Sequence, residues 1–138
     1  MKWVTWEHVG VDRMACAWLI RRLLDQEAEF LFVPAGQQPL PEGAEPFDIP
    51  GARLSHRHGR STFHTLLQEH HLADPVLERI ARMVDEADVV QEVTLEPAAP
   101  GLDLICRGLR RISRDDLAAL DRGATVYDAL YAELAEER

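Results

Sequence analysis

Asp12, Asp48, His56 and His58 are the residues of this chain whose types and spacing best suit chemistry. Asp12 stands where a short β-rich run, residues 2–6, hands over to an apolar helical segment that begins near Met14. Asp48 sits in a second short apolar run, and His56 and His58 follow it after Pro50-Gly51. Carboxylates and imidazoles at strand ends are what a metal or oxyanion site is built from. Histidines at i and i+2 face the same way on an extended segment, so this pair could share one cation. A mixed histidine and carboxylate set suits zinc, manganese, iron or nickel better than calcium.

Further acids belong to the same list. Asp85, Glu86 and Asp88 fall at the end of a helix that starts at Asp74-Pro75, where negative charge opposes the helix dipole unless something compensates. Asp88, flanked by Ala87 and Val89, is the preferred member of that group. The expected metal ligands are therefore Asp12, Asp48, His56 and Asp88, with His58 as a further ligand or general base. His64, at a helix start, is an additional candidate, whereas His70-His71 reads as a solvated helix end. Each residue also has a plainer role open to it. Asp12 could simply cap its helix, a contribution of about 1 kcal/mol, and the histidines could be solvated loop residues.

The arginines offer a different chemistry. Arg13, Arg57 and Arg60 lie close to these acids in sequence, and guanidinium groups bind oxyanions through paired N–H donors. The chain as a whole is acidic, with a net charge of −9, which argues against a nucleic-acid partner. Local basicity on an acidic protein suits a small anion. A length of 138 residues, 46% hydrophobic and 28% charged, reads as a single domain, 1–138, with an ordinary core. Its two cysteines, Cys16 and Cys106, sit in apolar runs and read as reduced core residues. No apolar run approaches the roughly 20 residues a membrane helix needs, and the first residues lack a signal core. A cytoplasmic protein is expected.

The elements that must position these residues follow from the same string. Residues 2–6 and 30–33 read as strands, and the apolar stretch from Met14 to Ile20 as a helix buried on most sides. Strand, helix and strand in that order predict a right-handed βαβ start. Residues 34–46, with four prolines and two glycines, read as a loop, and 47–49 and 52–54 as two short strands. Ser61 or Thr62 can cap a helix, and Asp74-Pro75 opens another. Residues 97–101 read as a break, 102–109 as a short helix ended by Gly108. Ser113 with Asp116 and Thr125 with Asp128 fit capping boxes and predict two separate helices after that. The expected class is α/β: a small, mostly parallel sheet with a helical C-terminal half. No GxGxxG, P-loop, GxSxG, HExxH or CxxC pattern occurs.

Taken together, residues 3–5, Val11-Asp12-Arg13 with Ala15-Cys16 and Trp18 to Arg22, Phe47-Asp48-Ile49-Pro50-Gly51, and Tyr127-Asp128-Ala129-Leu130-Tyr131 resemble the chromate-resistance family. The resemblance is to the domain that forms the C-terminal half of ChrB-type regulators, and it covers nearly the whole chain. It implies an association with chromate resistance and no settled mechanism. It also implies that Asp12, Arg13, Asp48, His56 and Asp88 occupy the family's polar motif positions. Ser61 and His64 depart from that pattern, where cysteine and aspartate are expected. Transcriptional control by this domain alone is not expected. A looser similarity, by analogy only, is to DHH-type phosphoesterases.

Three functions stay open at this point. The first is a metal-binding domain or metal-dependent enzyme in chromate stress. The second is a non-catalytic sensor that binds chromate or a similar oxyanion through arginines. The third is a homodimerisation module using Tyr127 and Tyr131.

Overall fold

The computed structural model describes residues 1–137. Strands β1 (Lys2–Trp6), β2 (Glu29–Val33) and β3 (Ala44–Pro46) form a parallel sheet in the order β2-β1-β3. Val4, at the centre, pairs with Leu31 on one side and Pro46 on the other. Helix α1 (Val11–Leu19) connects β1 to β2, and four more α-helices among the described residues come after β3: α2 (Thr62–Glu69), α3 (Pro75–Asp88), α4 (Ala99–Ile112) and α5 (Asp116–Glu136). The architecture is the expected α/β one, with a βαβ start and helices concentrated in the C-terminal half.

Helix α1 is the hub. All its residues except Arg13 are buried, as its unbroken apolar run predicts. It continues into a π-helical turn, Ile20–Leu24, closed by the Asp25 N–H on the Ile20 carbonyl at 2.7 Å. Around it pack α2, α3, α4 and α5. Trp18 lies between the rings of Phe63 and Tyr127, at centroid distances of 6.4 and 5.8 Å, and its indole N–H reaches Asp128. At the α1–α5 crossing the backbones come close over Gly123, where a Cβ atom would sit 2.9 Å from Met14 Sδ and 3.2 Å from Met14 Cβ.

The structure corrects several expectations. The third strand is residues 44–46, not 47–49. The ladder carries one residue further, with the Phe47 N–H on the Val4 carbonyl. There Asp48 adopts φ +53° and turns the chain out, so 52–54 contributes only a bridge between Leu54 and Phe47. Helix α4 runs straight through the expected break: Pro100 sits in its first turn, where a missing N–H costs nothing, and Gly108 does not take up the left-handed conformation that would end it. The two expected C-terminal helices are one helix of 21 residues, capped by Asp115 through the Ala118 N–H. The capping-box residues serve other purposes. Asp116 accepts the N–H groups of His8 and Val9, Asp128 takes the Trp18 indole, and the Ser113 hydroxyl donates to the Leu109 carbonyl.

Tyr127 and Tyr131 are not an exposed interface pair. Tyr127 is fully buried and donates to the Val11 carbonyl, and Tyr131 donates to Asp74. Among the described residues, no helix is long and apolar enough to cross a membrane.

Candidate metal centre

The site grows from the N-terminus of α2. A helix begins with N–H groups that have no partner inside the helix, and here each finds a named acceptor. Ser61 caps as expected, its hydroxyl accepting the His64 N–H. The Thr62 and Phe63 N–H groups both donate to the Asp12 carboxylate, at 2.8 and 2.9 Å. Asp12 is therefore not the cap of its own helix, which starts after Gly10. It closes α2 instead. Asp85, from α3, accepts the Ser61 N–H and hydroxyl at 2.9 and 2.7 Å.

Against this framework the turn after β3 brings in Asp48, the segment after Leu54 brings in His56, and the last turn of α3 brings in Asp88. His56 Nε2 lies 3.0 Å from Asp12 Oδ2, 3.3 Å from Asp48 Oδ1 and 3.2 Å from Asp88 Oδ2. Ligand-type atoms of Asp12, Asp48 and His56 fall within 4.8 Å of one another. Asp12 is buried, Asp48 nearly so, and the His56 ring is 44% exposed, forming the outer wall. The cluster opens into a cavity of about 440 Å³ whose other walls include Trp6, Arg13, Ser55 and the Ile49–Gly51 turn. The buried Trp6 indole N–H has no hydrogen-bond partner among the described residues.

The carboxylates are held from behind. Thr62 donates its hydroxyl to Asp48 Oδ1 at 2.7 Å. Arg13 Nε lies 3.3 Å from Asp48 Oδ2 and 3.0 Å from the Thr5 hydroxyl, and its Nη2 donates to the Asp48 carbonyl at 2.9 Å. Thr5 and Thr62 were not legible as site residues. Nothing in their local pattern says that one supports Arg13 and the other orients a carboxylate.

Three acids around one imidazole set the electrostatics. Burial, reinforced by the neighbouring charge of Asp48, pushes Asp12 up to about 6. Hydrogen bonds to Asp12, then Asp48 and Asp88, push His56 up to about 12, so the ring carries a proton when these carboxylates have no other cation. A single N–H cannot satisfy three carboxylates at once, yet all three oxygens point at that one nitrogen. Cys16, whose thiol lies 3.4 Å from Asp12, is pushed well up by burial and behaves as a core residue.

The remaining sequence candidates lie elsewhere. His56 and His58 do not share a face, because the chain reverses at His58-Gly59, with φ of +53° and +72° and the Arg60 N–H on the Arg57 carbonyl. His58 lines the larger cavity between α2 and α3, away from the acid cluster. Arg57 pairs with Glu69 at 2.7 Å. Arg60 turns to His64, 3.0 Å from its Nε2, and His64 Nδ1 in turn faces Asp85 Oδ2 at 3.0 Å. So Arg13, Arg57 and Arg60 form no common pocket, and His64 joins Asp85 instead of the metal-type cluster. The charge of the last turn of α3 is compensated: Asp85 by Ser61 and His64, Glu86 by Arg82 and the Leu95 and Glu96 N–H groups, Asp88 by His56.

A parallel sheet with an acid and histidine cluster off its strand ends, walled by helices, defines this chain as an α/β domain with a candidate metal centre. The chain belongs to the ChrB C-terminal domain family, whose model matches residues 3–134. It is 37% identical over 138 residues to Protein ChrB of Cupriavidus metallidurans, an alignment covering 99% of this chain and 42% of that protein. The chain thus spans less than half the length of that curated relative. No solved structure matches it.

Proposed function

We propose that Asp12, Asp48, Asp88 and His56 bind a divalent transition metal, and that the domain uses this centre, as a metal-dependent enzyme, in the chromate response with which its family is associated. The observation that carries this reading is the convergence of three carboxylate oxygens on His56 Nε2 within 3.3 Å. That donor set of three oxygens and one imidazole nitrogen fits zinc, manganese, iron or nickel. Asp12, Asp48 and Asp88 together would repel an oxyanion at the same spot unless a cation stood between them.

The residues behind the ligands have the roles expected of supports in such a centre. The Thr62 and Phe63 N–H groups fix the Asp12 carboxylate, and the Thr62 hydroxyl fixes Asp48. Arg13 holds the Asp48 turn and offsets part of its charge. A bound divalent ion supplies Lewis acidity, which lowers the pKa of water and polarises an oxygen-containing substrate. The cavity beside Trp6 and Arg13 is the place where such a substrate would stand.

The test is thermal unfolding after chelation, then in the presence of each metal. At one hundred times the dissociation constant a bound metal stabilises the fold by about 2.7 kcal/mol. A metal-dependent rise in melting temperature is expected for the wild type and not for His56→Ala. Equal melting with and without every metal would contradict the proposal.

A further inference from the structure

One face of α2 is polar where it meets the loops of the site. With 3.6 residues per turn, Thr62, Thr65 and Glu69 fall within about 60° of one another around the helix. Thr62 and Thr65 are 0% and 1% exposed. A buried hydroxyl is costly unless it finds a partner, and both find one outside their own helix. Thr62 holds Asp48. Thr65 donates its hydroxyl to the Ser55 carbonyl at 2.7 Å. Glu69, one turn further on, takes the Arg57 guanidinium at 2.7 Å and lies 3.6 Å from that of Arg53.

The last two contacts bracket His56. The Ser55 carbonyl belongs to the planar peptide unit that joins Ser55 to His56, so Thr65 fixes the plane from which the His56 side chain departs. Arg57 follows directly, and its guanidinium also donates to the Arg53 carbonyl at 2.7 Å, closing the loop on itself. His56 lies in no helix or strand, so no regular ladder holds it. The Thr65 hydroxyl also stands 3.5 Å from the Ser61 carbonyl, the back-bond open to any helical threonine. The short bond is the one to Ser55. Packing alone asks for no hydroxyl here, since Phe63, Leu66 and Leu67 fill the other buried positions nearby with apolar groups.

We propose that Thr65, with Glu69 behind it, is the positioning residue that sets His56 Nε2 among Asp12, Asp48 and Asp88. Its consequence for metal binding rests on the metal-centre reading, whereas its effect on His56 belongs to the metal-free chain as well. One rigid helix face then serves both sides of the centre. Thr62 fixes a carboxylate, and Thr65 and Glu69 fix the imidazole. Ligands fastened to the same helix keep their spacing to the roughly 0.5 Å that such a centre requires.

The test compares the wild type with Thr65→Val, Thr65→Ser and Glu69→Gln, first after chelation and then with zinc and manganese. Backbone amide NMR relaxation of the chelated proteins reads residues 55–57. Order parameters of about 0.85 are expected there for the wild type and Thr65→Ser, and below about 0.6 for Thr65→Val, with α2 unchanged in all. Glu69→Gln, at a partly exposed position that keeps the fold if the valine variant does not, should fall between. In metal titrations Thr65→Val should bind about 10–100-fold more weakly, Glu69→Gln should lose less, and Thr65→Ser should match the wild type. Residues 55–57 as rigid in Thr65→Val and Glu69→Gln as in the wild type would overturn the proposal. So would a serine variant that behaves like the valine one, or a loosened segment with undiminished metal affinity. A wild type that binds neither metal, with order parameters that still divide as stated, would sink the metal reading and support the positioning of His56.

Discussion

Asp12 and Thr62 are 50 residues apart in the chain, and the Thr62 N–H donates to the Asp12 carboxylate at 2.8 Å. That bond, with its neighbour from Phe63, ties the start of α1 to the start of α2 and aims Asp12 Oδ2 at His56. One buried carboxylate thus closes a helix and faces the metal-type cluster. Structure and proposed function meet in the same side chain.

Replacing Asp12 should therefore cost stability even without metal. Asp12→Ala leaves two buried N–H groups without an acceptor, and a loss of about 2–4 kcal/mol is expected. Asp12→Asn keeps one acceptor oxygen and should lose roughly half as much, while still weakening metal binding. Urea unfolding of the three metal-free proteins measures the order; an alanine variant as stable as wild type would show that the helix start does not depend on Asp12.

Asp85 predicts the acid behaviour. Burial raises its pKa, but the hydrogen bonds from His64 and Ser61 outweigh that and hold it below the usual value of 3.8. A lowered carboxylate pKa stabilises the fold above the unfolded value, and that stability is lost as pH falls through the folded one. The wild type should lose stability below pH 3.8, and Asp85→Asn should lose less of its own over that range. The variant's amide oxygen can still accept the Ser61 N–H and hydroxyl, which share one Asp85 oxygen, so at neutral pH it should start lower only by the lost His64 partner at the other oxygen, about 1–2 kcal/mol. Parallel slopes for both proteins through the acid range would contradict this.

The crossing of α1 and α5 makes a packing prediction. Gly123→Ala gains helix propensity but drives a Cβ into Met14, and overpacking should win by about 1–2 kcal/mol. Met14→Ala removes the two nearest atoms, Sδ and Cγ, and leaves only Cβ at 3.2 Å, so the double variant should be more stable than the sum of the single losses, by at least roughly 0.5 kcal/mol. Additive losses in calorimetry would mean that the two residues do not meet.

Much of the fold was legible because the apolar pattern carries it: β1, α1, β2 and α3 follow directly from periodicity and from the Asp74-Pro75 start. The misread start and split of α5 share a cause. Asp116 and Asp128 carry local capping signatures, but their partners are His8, Val9 and Trp18, more than a hundred residues away. Asp12, Asp48, His56 and Asp88 could be singled out because carboxylates and an imidazole near strand and helix ends are metal-ligand types and match the family's polar motif positions. His58 could not be placed, since a histidine with φ of +53° gives no turn signal of its own, and that turn sends Arg57 and Arg60 away from the cluster. The pairing of Ser61 and His64 with Asp85 depends on α2 meeting α3, which no local pattern encodes.

Metal content of the purified protein tests the central claim most directly, measured by elemental mass spectrometry on the wild type and on His56→Ala. The account predicts a stoichiometric transition metal in the wild type, lost in a variant that remains folded. No metal in either protein, even after reconstitution with zinc, manganese, iron and nickel, would contradict it.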